Sequence, residues 1–297
     1  MLGGFFMDGG YIHYRSIDLL SKTLPRPLAY WFAVRVADRI FYNDRRGREA
    51  VTGNLRKVLE YNGLRPSRRR LKVMARQTFQ NFSKYVIDFF RYGKFNRQKV
   101  ERLVSIEHPE AIDQSVDYGR GVIVVSAHYG SWEIGAGVLA GMGYPLNAVV
   151  LREKNQKTNR LFENRRGRRG IQSIGLGSAA MGVIRALRRK QFVAILADRD
   201  YSRNNRQTPF FGVPAFLPAG PAIICMKTGA PLLPAFLVRQ EDDNYLLRFK
   251  KPVTPDSNPA IDSIQGSICR ILEEEISKNP TQWYMFREFW NYSWNGK

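Results

Sequence analysis

The sequence predicts an α/β fold: a mostly parallel central sheet flanked by helices, preceded by a helical N-terminal section. Three observations predict it. From residue 121 onward, short apolar runs alternate with helical stretches, as strands joined by crossover helices do. Before residue 100, apolar residues instead recur at helical spacing among basic ones. The run Val122 to Val125 is β-branched throughout and bounded by turn-forming residues, as a buried strand should be.

At 297 residues, with no repeat and no linker rich in Pro, Gly or Ser, the chain reads as one structural domain. Within it, residues 1–100 are a helical, membrane-proximal section and residues 101–297 the α/β core. Residues 24–42 form a helix opened by Pro27. Its Trp31, Phe32, Val34, Ile40 and Phe41 are apolar, but Arg35, Asp38 and Arg39 interrupt the run well short of the roughly 20 apolar residues a spanning helix needs. It either lies in a membrane interface or packs on the domain. Residues 44–100 hold two further helices, marked by Leu55, Val58 and Leu59 and by Leu71, Phe79, Phe82, Val86 and Phe90, with a basic run from Arg65 to Lys72 between them.

In the core, the strand from Val122 delivers His128 to its C-terminal end, where open α/β sheets hold their ligands. Gly130 permits a sharp turn, and a helix begins near Trp132 with Glu133 in its first turn. Strands then follow at Asn147–Leu151, Ile171–Leu176, Phe192–Ala197, Leu232–Val238 and Tyr245–Lys250. Helices are expected at Gln156–Arg166, Ala180–Arg189, Pro218–Thr228 and Ile261–Ser277. The segment Tyr201–Phe216 reads as a loop whose Phe210, Phe211, Val213 and Phe216 either wall an acyl chain or simply pack. The aromatic tail Trp283–Trp294 is expected to cap the core.

Several strand ends carry polar residues, namely His128 with Glu133, Arg152, and Asp198 with Asp200. Parallel strands place all of these on one edge. A histidine at a strand end often serves only as a structural hydrogen-bonding residue. Here the chain has just three histidines, Glu133 follows at the strand-turn-helix junction, and Ala127, Gly130 and Ser131 leave room for a substrate. His128 as general base, its imidazole held by Glu133, is the chemistry these residues suggest. Asp198 and Asp200 alternate on an extended segment without a third oxygen ligand, so no metal is expected. One of them should order the site, by pairing with an arginine. The basic cluster Arg165–Arg169 suits a phosphate-bearing group because guanidinium forks bind phosphate oxygens in pairs.

His128, four intervening residues and Glu133 resemble the His-x4-Asp/Glu motif of the glycerolipid acyltransferase superfamily. The wider phrase Ser126-Ala-His-Tyr-Gly-Ser-Trp-Glu133 is similar to the bacterial lipid A late acyltransferases, the lauroyl and myristoyl transferases, with phosphatidylinositol mannoside acyltransferases as close relatives. Matching phrases follow in the order that family has them: Arg152, Arg166 ahead of Gly170, Leu196-Ala-Asp-Arg-Asp-Tyr201, Phe210-Phe-Gly-Val-Pro214, Leu217-Pro-Ala-Gly-Pro221 and Asn279-Pro-Thr-Gln-Trp283. One departure is Arg287-Glu-Phe-Trp290, where the family often has a His and Arg pair.

The resemblance implies an O-acyltransferase. It would move a fatty acyl chain from acyl carrier protein or acyl-CoA to a glycolipid hydroxyl, with no cofactor beyond the donor. Arg152, Arg166, Asp198 and Asp200 would contact substrate. A lipid A precursor is the first acceptor expected, and phosphatidylinositol mannoside or another glycolipid the alternative.

The net charge of +21 calls for an anionic partner, and an acidic carrier protein or an anionic membrane surface would both serve. Fifteen Lys/Arg against four acids between residues 151 and 206 place much of the excess just after the proposed catalytic turn. Nucleic acid is not the expected partner, because the N-terminal aromatics fall on helical apolar faces rather than interleaving with the basic residues. A non-enzymatic basic membrane or nucleic-acid binding protein is the remaining alternative, and the His128/Glu133 pair argues against it. Cys225 and Cys269 read as reduced core thiols. No signal peptide is evident, so the cytoplasmic face of the inner membrane is the expected location.

Overall fold

The computed structural model describes residues 11–93, 96–153, 155–199, 205–255 and 260–290. The chain divides into two compact units. One comprises residues 1–91, 209–216 and 273–297, and the other residues 92–208 and 217–272. The N-terminal helical unit therefore ends near residue 91 and recruits two later segments, where the sequence suggested a single boundary near residue 100.

The helical unit contains α1 (Tyr11–Thr23), α2 (Arg26–Asn43), α3 (Arg45–Tyr61) and α4 (Arg68–Arg91). Asp44 starts α3 by accepting a hydrogen bond from the Gly47 amide, the usual work of an N-cap carboxylate. The long α4 is the hub. Its Phe79 and Phe82 bury their rings against Phe286, and Phe82 also meets Tyr284. The described part of the aromatic tail thus belongs to this unit, which corrects its expected place as a cap on the α/β core. Asn54 of α3 secures the tail with three bonds, donating to the carbonyls of Met285 and Arg287 and accepting from the Phe289 amide. Asp38 of α2 takes a forked pair of bonds from Arg76 of α4.

The second unit begins with α5 (Arg97–Leu103), β1 (Val104–Glu107) and α6 (Glu110–Val116). Next come β2 (Val122–Ser126), α7 (Trp132–Gly141), β3 (Leu146–Val150), α8 (Gln156–Arg168) and β4 (Ile171–Gly175). The order continues with α9 (Ala179–Arg188), β5 (Phe192–Leu196), a hairpin of β6 (Asn205–Phe210) and β7 (Val213–Pro218), whose residues 209–216 belong to the helical unit, and α10 (Gly220–Thr228). It closes with β8 (Leu232–Arg239), β9 (Tyr245–Phe249) and α11 (Ile261–Lys278), the last running on into the helical unit.

The hairpin replaces the expected loop over 201–216, of which residues 201–204 lie outside the described residues. Phe211 and Gly212 make its two-residue turn with φ of 51° and 70°, the left-handed conformation a tight hairpin turn demands. Phe210 and Phe211 are buried, while Phe216 is about half exposed.

Seven strands form the sheet in the order β1-β9-β8-β2-β5-β3-β4, parallel except where β8 meets β9. The mostly parallel α/β architecture read from the sequence is the one observed. Strand β2 lies at its centre with every residue buried, so both faces of the sheet are covered there. On one face, Val122 and Val124 join Ile134, Val138 and Leu139 of α7 in the main apolar cluster. Both cysteines are buried and neither forms a disulfide, and burial pushes the Cys225 thiol up to about 12.

Candidate active site

The site grows from the pairing of β2 with β5. Their parallel register sets Ser126 beside Leu196, and the Ala197 amide donates to the Ser126 carbonyl. The two chains therefore leave the sheet side by side, and His128 emerges next to Asp198. Asp198 Oδ1 lies 2.8 Å from His128 Nδ1, and Oδ2 accepts the His128 backbone amide at 3.0 Å. Both side chains are buried, Asp198 completely. A carboxylate at Nδ1 keeps the proton on that nitrogen, which leaves Nε2 as the basic one.

The sharp turn after His128 depends on Gly130. Its φ is 61°, and a Cβ there would run into the Leu237 carbonyl oxygen of β8. That same carbonyl accepts the Ser131 amide at 2.7 Å, so this N–H is already engaged. The turn leads into α7, where Trp132 sets its ring edge-on to the His128 imidazole at 5.3 Å between centroids.

Glu133 does not take the role the sequence suggested. The carboxylate on Nδ1 is Asp198, and Glu133 instead forms a bidentate ion pair with Arg166 of α8. Arg166 Nη2 sits 2.5 Å from Oε1, and its Nε lies 3.0 and 3.1 Å from the two oxygens. Both side chains are only about one-eighth exposed, at 13% and 12%. Burial raises the Glu133 carboxyl, but the charge and hydrogen bonds of Arg166, with smaller help from Arg169 and His128, hold it below its ordinary value. The expected phosphate-binding Arg166 is thus a partner to a carboxylate.

Arg152 lies beyond β3, two strands over from β2, with its guanidinium close to Gly175 at the end of β4. Asp198, one of the two acids expected to order the site, bonds both the imidazole and the backbone amide of His128. Asp200 lies outside the described residues. Among the described residues, no group of three or more His, Cys, Asp or Glu side chains is placed to hold a metal ion.

Beside this edge lies a small cavity of about 70 Å³. Ser126, Trp132 and Glu133 line it where β2 ends and α7 begins, and Val124, Leu139, Ala194 and Leu247 line its apolar remainder.

A parallel α/β sheet with a carboxylate-held imidazole at its strand edge is suited to taking a proton from a hydroxyl during group transfer. Comparison with known proteins makes the class definite: this is an acyltransferase. Residues 15–291 match the family described as bacterial lipid A biosynthesis acyltransferase, and the chain belongs to that family. It is 24% identical over 222 residues to a phosphatidylinositol mannoside acyltransferase of Mycolicibacterium smegmatis, covering 73% of this chain and 72% of the relative. It is also 24% identical over 275 residues to the lipid A biosynthesis palmitoleoyltransferase of Escherichia coli K12, covering 91% and 87%. Among solved structures, the 1-acyl-sn-glycerophosphate acyltransferase PlsC of Thermotoga maritima aligns at 13% identity with a TM-score of 0.40, covering 87% of this chain and 99% of that one. Membership implies an acyl donor and a lipid acceptor as substrates.

Proposed function

We propose that the chain transfers a fatty acyl group from acyl carrier protein or acyl-CoA to a hydroxyl of a glycolipid, with His128 as general base. The acceptor is a lipid A precursor, and the work is done at the cytoplasmic face of the inner membrane. The observation that carries this reading is the His128–Asp198 pair beside an apolar cavity.

His128 Nε2 takes the proton of the acceptor hydroxyl as its oxygen attacks the thioester carbonyl. Asp198 steadies the imidazolium that forms. When the tetrahedral intermediate collapses, the C–S bond breaks and the proton passes from Nε2 to the departing thiolate. Ester and free thiol are the products, so protons and bonds balance. The +21 charge favours an acidic carrier as donor. The mannoside-acylating relatives match as well as the lipid A one, so phosphatidylinositol mannoside is the second acceptor to test.

The test is a mass-spectrometric lipid profile of cells lacking the protein, restored with wild type or with His128→Ala. A glycolipid short of one acyl chain, repaired by wild type alone, is expected, with purified His128→Ala slowed by about 10²–10⁴-fold. Equal repair by both forms would remove His128 from the chemistry. A normal profile without the protein would overturn the glycolipid acceptor.

A further inference from the structure

The His128 imidazole has a second neighbour, placed as firmly as Asp198. Half-buried Trp132 sets its indole 5.3 Å from the imidazole between centroids, with the ring planes 62° apart. The contact joins two backbones that the sheet holds. His128 leaves the end of β2, which pairs with β8, Val125 beside Pro234. Trp132 opens α7 just after the turn, where the Leu237 carbonyl of β8 takes the Ser131 amide at 2.7 Å and leaves no room for a side chain on Gly130. The Ser131 carbonyl then accepts the amides of Ile134 and Gly135 at 2.9 and 2.8 Å, which fixes the first turn of the helix.

One hydrogen bond does not fix a ring. The Asp198 carboxylate holds Nδ1 at 2.8 Å, yet the imidazole can still tilt about that contact, and the basic lone pair of Nε2 lies in the ring plane and tilts with it. A base takes a proton efficiently only when that lone pair points at the hydroxyl, and a misplacement of about 1 Å can cost on the order of 10²-fold in rate. An indole leaning on the imidazole removes the tilt. Glu133, the next residue of α7, is committed to Arg166, so the indole is what this helix lays against the imidazole.

The contact also gains strength during the reaction. A neutral imidazole and an indole merely pack, whereas an imidazolium is a cation within the roughly 6 Å over which indole, the best of the aromatic side chains at this, attracts one. That attraction arises as the proton is taken, so it lowers the barrier instead of strengthening the ground state. A side chain that only filled space between β2 and α7 would be exchangeable for an aliphatic one at little cost in rate.

We propose that Trp132 is a positioning residue for the transfer reaction. Its indole fixes the plane of the His128 imidazole and stabilises the imidazolium that forms, acting through the base and not on donor or acceptor. The inference rests on His128 being the general base, and it adds the side chain that aims it.

The test is steady-state acyl transfer to a glycolipid dispersed in detergent by wild type, Trp132→Phe, Trp132→Leu and His128→Ala, with thermal unfolding of each. Trp132→Leu should keep KM for donor and acceptor within about twofold while kcat falls about 10–100-fold. Trp132→Phe should recover most of that loss, because a phenyl ring leans on the imidazole and attracts a cation as well, though less strongly. Where leucine fails to fold, Trp132→Met fills more of the indole volume without an aromatic face and gives the same reading.

Wild-type kcat in the aliphatic variant overturns the proposal, since packing alone would then suffice. A raised acceptor KM at unchanged kcat overturns it too, because the indole would then be bound to substrate. Either result beside a slow His128→Ala sinks the positioning role alone. A His128→Ala as fast as wild type removes the base itself, and with it the proton step of the proposed reaction.

Discussion

Two buried couples stand at the same edge of the sheet, His128 with Asp198 and Glu133 with Arg166, and a proton affects them very differently. In the first, a carboxylate on Nδ1 leaves the far ring nitrogen free to take up a proton and stands ready to balance its charge. In the second, the guanidinium stays charged throughout the working range, and its presence holds the Glu133 carboxyl ionised. In the proposed reaction the first couple moves a proton, while the second ties α7 to α8 beside it. Proximity to a histidine therefore does not make a carboxylate its partner. The atom it bonds decides.

Asp198→Asn strikes the first couple. An amide in this place can present N–H to Nδ1 and force the imidazole into the tautomer that leaves Nε2 without a free pair. kcat should fall by about 10²–10⁴-fold with thermal stability nearly kept. Unchanged turnover would erase the distinction between the couples.

Glu133→Gln strikes the second, leaving the Arg166 charge buried without its counterion. Urea unfolding should show a loss of about 3–5 kcal/mol. A variant as stable as wild type but inactive would return Glu133 to the imidazole.

The smallest effect sharpens the contrast through pH. Because the folded Glu133 carboxyl titrates below its unfolded value, its stabilising contribution is complete above the ordinary glutamate value of about 4.3 and is lost as pH falls through the depressed one. In acid, the wild-type urea midpoint should drop more steeply than that of Glu133→Gln. Parallel acid limbs would mean that the pair contributes nothing to folding.

Much of the α/β frame was legible because its signals are local. Val122 to Val125 reads as a strand from composition alone, and His128 at its end follows from counting residues. Which carboxylate meets that histidine was not legible, because it depends on β5 lying beside β2, and strand order is settled by packing across the whole sheet. Asp198 was visible as a strand-end acid, but only the register Ser126 to Leu196 aims it at Nδ1.

The hairpin was hidden for a different reason. Pro209 and Pro214 argue against strands, and a phenylalanine with positive φ is a poor advertisement for a tight turn. The outward leucines of α1 gave no period that a soluble helix would show. Their placement becomes readable only once the inward face, with its buried Asp18, is known.

The helical unit is assembled from chain segments far apart in sequence, and this bears on how the protein is made. The bonds of Asn54 to Met285 and Arg287 close over 231 and 233 residues. At a translation rate of about 5–20 residues per second, helices α1 to α4 leave the ribosome on the order of 10–50 s before the tail that completes them. During that interval Phe79 and Phe82 have no Phe286 to pack against. The nascent chain therefore carries an unfinished aromatic surface until Phe286 emerges.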